Sequence, residues 1–556
     1  MKVSLDDKNL INIIFISLLS IGIYFARDFG ISWDEPFHRN QGKSTLAFIA
    51  RLFGLDTIMG NFEHVPDPDT YGYSALFEMF FILIEKLLFI EDTRNIYILR
   101  HTLNFIIYFF GAYMFFLFIK ERTQNLSISF VVSMFYLINP RLLGHGFFNC
   151  KDSIAQALVA CSLLPLYLAF KKSNRNSFII SGLIIGLSIV VRVPIIYLPF
   201  IYLIVLFAKN FDSKKKYFFD KNTFRNILIF FLSTLFSSFV FQPLFWGISF
   251  NDLKKVFLGF MQYPWDGFNF YLGHYISAMN LPWHYVPLWV LVTTPLPFII
   301  FFILGISTTF RESLKRFKKN MFFDIFMFMG FIVPILATII LNSTFYDGWR
   351  HMFFIYPFLS YFMGIGFIWS INYIKYKFSF TFRKLMIILS VLTFLSPIIK
   401  IVQLHPYQNI FFNSLAGKDP MKYFEGDYWA LSMREGIEWI LKNDEKEKIW
   451  IASNYNVAKM SYPIIKKNDR DRLAWLYMEH RYDSTATLRP HQLDIKADYF
   501  ITNFRWAGSD YRRLKKQTFP PYENELFSIK KDNMRILGIY KYRLPREVFE
   551  KKVRSN

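Results

Sequence analysis

Runs of about twenty apolar residues, separated by clusters of Lys and Arg, repeat along this chain from Asn9 to Gln403. A helix that crosses the hydrocarbon layer of a bilayer needs about 17–25 such residues. Within that layer only a helix or a closed barrel satisfies its own backbone hydrogen bonds. The runs fall near 9–26, 101–119, 124–139, 153–170, 177–192, 193–208, 226–247, 285–306, 321–341, 351–371 and 385–403. They predict an all-α polytopic membrane protein with about eleven transmembrane helices. Asn9–Ala26 is near spanning length and no small-residue cleavage site follows it, so it reads as the first span.

Charge supports this class. Charged residues make up 19% of the chain, below the about 25% of soluble domains. A net charge of +22 would suggest nucleic acid in a soluble protein. Here the excess sits between spans: Lys120 and Arg122, Lys171, Lys172 and Arg175, Lys214–Lys216 with Lys221 and Arg225, Arg311–Lys319, and Lys375–Lys384. Such loops face the cytoplasm, and no nucleic-acid partner is implied. They alternate correctly only if Tyr73–Ile90 does not cross. That stretch carries Glu78, Glu85 and Lys86, and an acid or lysine at mid-membrane costs about 2.5–3.5 kcal/mol. It is expected to lie in the interface or to re-enter the membrane. Cys150 and Cys161 form no CxxC, which argues against a disulfide framework or a zinc site.

Near His405 the character changes. Charged residues become frequent, and Lys448–Ala452, Ala497–Thr502 and Met534–Tyr542 look like strands, with a helix from near Tyr428 through Gly436–Lys442. The expected division is a membrane domain at 1–403 and a small soluble α/β domain at 404–556, the latter outside the cell.

This topology gathers chemistry in the outer loops. Asp34 and Glu35 follow the first span, beside Trp33 and Phe37. Desolvation and the adjacent carboxylate should both raise pKa here, as suits a general base for a hydroxyl; an exposed acidic turn before Pro36 is the alternative. The second outer loop, Asn139–Asp152, carries Arg141, His145, Asn149, Lys151 and Asp152. Asp152 could instead cap the next helix. Arg192 stands before Pro194 at a tight turn, and later loops hold Tyr263–Gly267, Asn280–Tyr285 with Trp283 and His284, and Tyr346–His351 with Asp347. Arg350 and His351 suit a phosphate, because guanidinium offers a permanent charge and a bidentate fork; snorkelling of Arg350 to lipid headgroups is the alternative. Gln41–Thr45 imitates the end of a P-loop, but Phe37 stands where the required glycine would be, so it is rejected. His64, Asp67 and Asp69 could ligate a metal or simply be solvated.

An Asp-Glu pair in the first outer loop, an acid in the second and basic residues in later ones resemble the type C (GT-C) membrane glycosyltransferases, and in particular bacterial relatives of the dolichyl-phosphate-mannose protein mannosyltransferases. The segments concerned are Trp33–His38, Asn149–Asp152, Leu281–Tyr285 with Thr294-Pro295, Asp347–His351, His405–Gln408 with Asn413, and Asp427–Trp429. The resemblance implies a multispan fold with an outer-surface cavity and transfer of a sugar, usually with inversion, from a polyprenyl-phosphate carrier to a hydroxyl of a lipid, glycan or protein. It implies Asp34 as base, with Glu35 and Asp152 shaping the site or holding an acceptor or a divalent metal such as Mg or Mn. Arg350, His351 and Arg192 would receive the departing lipid phosphate. His145, Asn149, Lys151, Trp283, His284 and Asp347 would line the substrate. No large β-trefoil insert is recognisable, which leaves lipid and glycan acceptors open, in a bacterial inner membrane. A transporter or lipid flippase is the main rival, although such proteins place ionisable groups at the midplane and often show repeated halves.

Reporter fusions near residues 122, 215 and 315 should read cytoplasmic, and one near 480 should read outside. A cytoplasmic signal at 480 would invert the topology.

Overall fold

The computed structural model describes residues 5–55, 75–212, 221–246, 265, 267–315, 321–377, 380–454, 457–478, 497–505 and 525–541. Each expected span falls mainly on helix. Among the described residues, seven helices are individually long and apolar enough to cross a membrane: Lys8–Asp28, Thr93–Thr123, Asp152–Lys172, Val193–Asn210, Lys221–Val240, Met321–Ile340 and Arg350–Lys377. An eighth span forms if the bent pair Leu126–Leu137 and Pro140–Phe148 is taken together. Arg175–Val191, Leu296–Arg311 and Val391–Leu404 are shorter apolar helices.

Proline shapes the departures from plain spans. The residue before proline is pushed out of the helical region. Asn139 and Thr294 each precede one and are extended, whereas at Pro194 the extended residue is Arg192 and Val193 opens a short 3-10 turn; Pro165, Pro334 and Pro397 stay inside helices. At Asn139-Pro140 the chain bends by 69°, so the expected second outer loop is largely a short helix, Pro140–Phe148, folded back against the bundle. The expected span 285–306 is not continuous: it breaks at extended Thr294 into Tyr285–Thr293 and Leu296–Lys315. Backbone groups freed by these breaks find partners. Asn413 Nδ2 donates to the carbonyls of Leu291 and Thr294, both at 2.7 Å. The hydroxyls of Tyr356 and Tyr108 donate to the carbonyls of Phe135 and Tyr136, at 2.9 and 3.0 Å. Irregular backbone at this depth is tolerated because protein covers it.

Small residues let helices approach closely. Gly182 and Gly186 face the helix Lys221–Val240 so tightly that a Cβ would lie 2.5 Å from the Phe230 carbonyl oxygen and 2.4 Å from that of Thr234. This spacing of four residues is the familiar contact of membrane helices.

The stretch expected not to cross forms the helix Leu76–Leu87. Twelve residues reach about 18 Å, well short of the hydrocarbon layer. Its acids are buried between helices rather than laid on a membrane surface. Glu78 and Glu85 both pair with Arg100 of Thr93–Thr123, and Glu85 also accepts from Arg39 Nη2 at 2.7 Å. The P-loop imitation lies inside the helix Glu35–Leu52. A Cβ at Gly42 would stand 2.7 Å from Glu78 Cβ, so that glycine serves packing.

After Leu404 the chain folds back onto the helix ends before entering a five-stranded mixed sheet, ordered Leu473–Met478, Ile449–Asn454, Tyr499–Thr502, Met534–Lys541 and Glu525–Lys531. Its strands are β3 (Ile449–Asn454), β4 (Leu473–Met478), β5 (Tyr499–Thr502), β6 (Glu525–Lys531) and β7 (Met534–Lys541), with β3 parallel to β4 and β5. A separate hairpin pairs β1 (Phe268–Tyr271) with β2 (His274–Ser277). The helix expected from Tyr428 begins only at Met433, because residues 427–432 turn to reach the helix ends. One apolar core runs from Ile11 through Leu404 and Trp429 to Ile539, so packing is continuous across the expected boundary at 404.

Arg100 is the only cation contacting Glu78 among the described ion pairs. Breaking a buried pair by removing one partner costs about 3–5 kcal/mol. Arg100→Met should therefore lower the melting temperature in detergent sharply, and adding Glu78→Gln should restore part of it.

Candidate active site

Four helix ends meet on one side of the bundle, each carrying a charge. Asp34 stands after the first helix, at the start of Glu35–Leu52. Asp152 opens Asp152–Lys172, Arg192 closes Arg175–Val191, and Arg350 opens the turn Arg350–Ile355.

Arg350 is the hub. Its Nη1 donates to Asp34 Oδ2 at 3.0 Å and to Asp152 Oδ2 at 3.5 Å, and its Nη2 to Asp347 Oδ2 at 3.4 Å. The guanidinium lies 4.7 Å from the Trp429 ring and 4.9 Å from the Tyr346 ring, within cation–π range of both. Arg350 is 4% exposed, which rules out snorkelling to headgroups. Asp152 also binds Arg192 through its other oxygen.

The capping alternative for Asp152 falls to its neighbour. Asn149 Oδ1 accepts from the backbone N–H of Asp152 at 2.9 Å and of Lys151 at 3.3 Å. That leaves the Asp152 carboxylate to the arginines. Asn149 Nδ2 donates to Asp152 Oδ2 at 2.9 Å and lies 3.2 Å from His145 Nδ1, while His145 Nε2 is 3.4 Å from the Tyr428 hydroxyl. Lys151 is buried beside this group. Burial, and then the Arg192 charge, push its ammonium down to about 7 against the pull of Asp152.

Asp34 and Glu35 part company. Glu35 is buried, accepts from the Ser32 backbone N–H at 2.6 Å and lies 2.9 Å from His101 Nε2. It braces the loop rather than facing the arginine. Asp34 does not show the expected raised pKa. Burial pushes its carboxyl up, but Arg350, with His38 and Arg505, outweighs that and holds it below the ordinary 3.8. The paired-carboxylate effect expected from the sequence is absent because the two side chains point apart.

Other expected residues stay apart from the hub. His351 sits among the Phe345 and Tyr346 rings, at 5.5 and 4.6 Å, with no described polar contact to the carboxylates. Trp283 is exposed, and His284 Nδ1 lies 2.7 Å from the Tyr271 hydroxyl of β1. These two belong to the hairpin side, where Trp283 lines a surface cavity with Leu281, Tyr285 and Asn342. His64, Asp67, Asp69 and Asp266 lie outside the described residues.

Two residues of this charge cluster lie outside the set expected from the sequence. Arg505, just past β5, donates from Nη2 to Asp347 Oδ1 at 2.6 Å. Glu425 is buried close to it; burial lifts its carboxyl to about 7 even with the Arg505 charge pulling it down. Glu425 stands two residues from the Asp427–Trp429 segment, which was a signal of sorts; nothing in the sequence around Arg505 marks it.

No protein-family model matches the sequence, and no curated protein matches it. Among solved structures the chain is similar to the oligosaccharyltransferase of Archaeoglobus fulgidus in the apo form, at 12% identity and a TM-score of 0.49, over 90% of this chain and 71% of that one. It is similar to ArnT from Cupriavidus metallidurans bound to undecaprenyl phosphate, at 11% identity and a TM-score of 0.47, over 95% of this chain and 97% of the other. The archaeal oligosaccharyltransferase AglB from Archaeoglobus fulgidus, in complex with an inhibitory peptide and a dolichol-phosphate, gives 11% identity and a TM-score of 0.47 over 96% and 75%. At these identities the similarity assigns no role to any residue here.

A divalent metal does not fit the donor set as arranged. Asp34, Asp152 and Asp347 converge on a guanidinium, and among the described residues no group of three or more His, Cys, Asp or Glu side chains is placed to hold an ion.

Because Asp34 has a depressed folded-state pKa, its pairing contributes stability that is present above the unfolded-state value and lost as pH falls through the folded one. Asp34→Asn should lower the melting temperature at pH 7. Its deficit against the unsubstituted protein should begin to shrink as pH falls below about 4; a deficit unchanged down to pH 3 would contradict this.

Proposed function

We propose that this chain is a type C membrane glycosyltransferase that moves a hexose or pentose from a polyprenyl-phosphate donor to an acceptor hydroxyl. The observation that carries this is the buried Arg350, shared by three carboxylates at the ends of apolar helices. A lipid-linked donor reaches such a position from the bilayer. The Nε groups of Arg350 and Arg192 are buried with no hydrogen-bond partner among the described residues, so both arginines keep donor capacity for an anion. The family resemblance of the sequence motifs gives the same class.

In this reaction Asp34 takes the acceptor proton while the acceptor oxygen bonds to the anomeric carbon from the face opposite the phosphate. The bond from that carbon to the phosphate oxygen breaks, and its electron pair stays with the lipid phosphate. The phosphate gains one negative charge, and in this reading Arg350 and Arg192 receive it. Asp34 is ionised at neutral pH and so can accept a proton. A phosphate that engages Arg350 draws that cation away from Asp34 and raises its basicity. In this proposal the chain spans a bacterial inner membrane eleven times, with the site and the C-terminal sheet on the extracytoplasmic side. The acceptor is a lipid, glycan or protein.

The test is incubation of purified protein with polyprenyl-phosphate sugars and cell-envelope extract, followed by mass analysis. Sugar attached to a new acceptor supports transfer; donor moved across a vesicle membrane but recovered intact would favour a flippase. Asp34→Asn should retain donor binding and lose about 10²–10⁴-fold in rate. Turnover within a few-fold of the unsubstituted protein would shift the base to Asp152.

A further inference from the structure

The C-terminal sheet delivers one side chain to the helix ends. β5 stops at Thr502, and Phe504 adopts a left-handed φ of 59°, which turns the chain out of the sheet. Asn503 fixes the turn: its Nδ2 donates to the Asp427 carbonyl at 2.7 Å, and its Oδ1 accepts from the Arg505 backbone N–H at 3.4 Å. Arg505 then reaches Asp347 Oδ1 with Nη2 at 2.6 Å and the Tyr428 carbonyl with Nη1 at 2.9 Å, and lies 5.7 Å from the Trp33 ring.

Asp347 is itself held in an uncommon conformation, φ 59°, with its N–H donated to Asn269 Oδ1 at 3.1 Å. Its two oxygens serve different cations. Oδ1 makes the 2.6 Å contact with Arg505, while Oδ2 meets Arg350 only at 3.4 Å. Three carboxylates, Asp34, Asp152 and Asp347, thus face three guanidiniums, Arg192, Arg350 and Arg505. Lys151 and Glu425 lie beside this group as well, so the decisive loss without Arg505 is local: Asp347 loses its closest cation. Arg350 would be drawn toward Asp347, and an incoming phosphate would meet one positive charge fewer in a buried site, where each charge weighs strongly.

We infer that Arg505 is a positioning residue: by holding Asp347 it leaves Arg350 directed at Asp34 and Asp152 and available to the donor phosphate, which makes the C-terminal sheet part of the site. This rests on the proposed lipid-phosphate donor, but its test reads binding rather than turnover.

The full-length protein in detergent is titrated with undecaprenyl phosphate, and binding is followed by tryptophan fluorescence. Arg505→Ala should weaken binding about tenfold or more. Arg505→Lys should recover part of it, because the charge returns without the fork. Arg505→Ala combined with Asp347→Asn restores charge balance and should bind more tightly than Arg505→Ala alone; a purely structural role gives no such rescue. Arg505→Gln, alone and with Asp347→Asn, serves the same comparison if the alanine variant does not fold. Unchanged binding in the single variant, or no rescue in the double, would overturn the inference, as would failure of the unsubstituted protein to bind the lipid phosphate. A protein that binds it and shows the rescue but transfers no sugar would instead overturn the proposed reaction and leave the role of Arg505 intact.

Discussion

A guanidinium buried at the ends of apolar helices must be paired or hydrogen-bonded, and Arg350 is held by three carboxylates, drawn from residues 34, 152 and 347. This one cation therefore ties the segment after the first helix, the start of the helix Asp152–Lys172 and the turn before Tyr356–Lys377 to a single point. It also sets which helix ends share a side of the bundle. At the opposite end Arg122 of Thr93–Thr123 pairs with Asp324 of Met321–Ile340, and Lys171 with Glu121 at 3.0 Å. Charges thus cluster at both ends of the helices, with apolar packing between them, the arrangement a bilayer demands.

The geometry of the site depends on where helices stop. Each break before a proline opens backbone carbonyls, and side chains from distant segments close them: Asn413 covers the break at Thr294, and Tyr356 and Tyr108 cover the bend near Asn139. The folded-back helix Pro140–Phe148 packs almost backbone to backbone on residues 408–409; a Cβ at Gly144 would lie 2.7 Å from the Asn409 nitrogen. Segment 405–432 is thereby pinned beside the helix ends, and Trp429 is set against Arg350. Charged composition alone made this segment look like the start of a separate soluble unit. Its aromatic residues, Tyr407, Phe411, Phe424 and Trp429, are instead buried in the common core.

The charges that meet in the candidate site were legible because they lie at the ends of recognisable apolar runs: Asp34, Asp152, Arg192 and Arg350 each follow or precede such a run in the sequence. Where legibility failed, side-chain direction was the cause. Asp34 and Glu35 are adjacent, yet Asp34 turns to Arg350 and Glu35 to His101. His351 follows Arg350 in the chain but lies among aromatic rings. Trp283 and His284 belong to the hairpin side of the molecule.

The sequence by itself determined the class of the protein and the location of most helices, because both follow from the length of apolar runs and the chemistry of the bilayer, which are local properties. It also supplied a short set of boundary charges from which a site could be built. Only the tertiary structure decided which of those charges meet, that Asp34 is held below rather than above its ordinary pKa, and that Arg505 joins from beyond residue 500. The decisive pairings, Asp34 and Asp152 with Arg350 and Asp347 with Arg505, join residues more than a hundred positions apart. No local pattern encodes such pairings; they appear only when packing brings a cation and its carboxylates within about 3 Å.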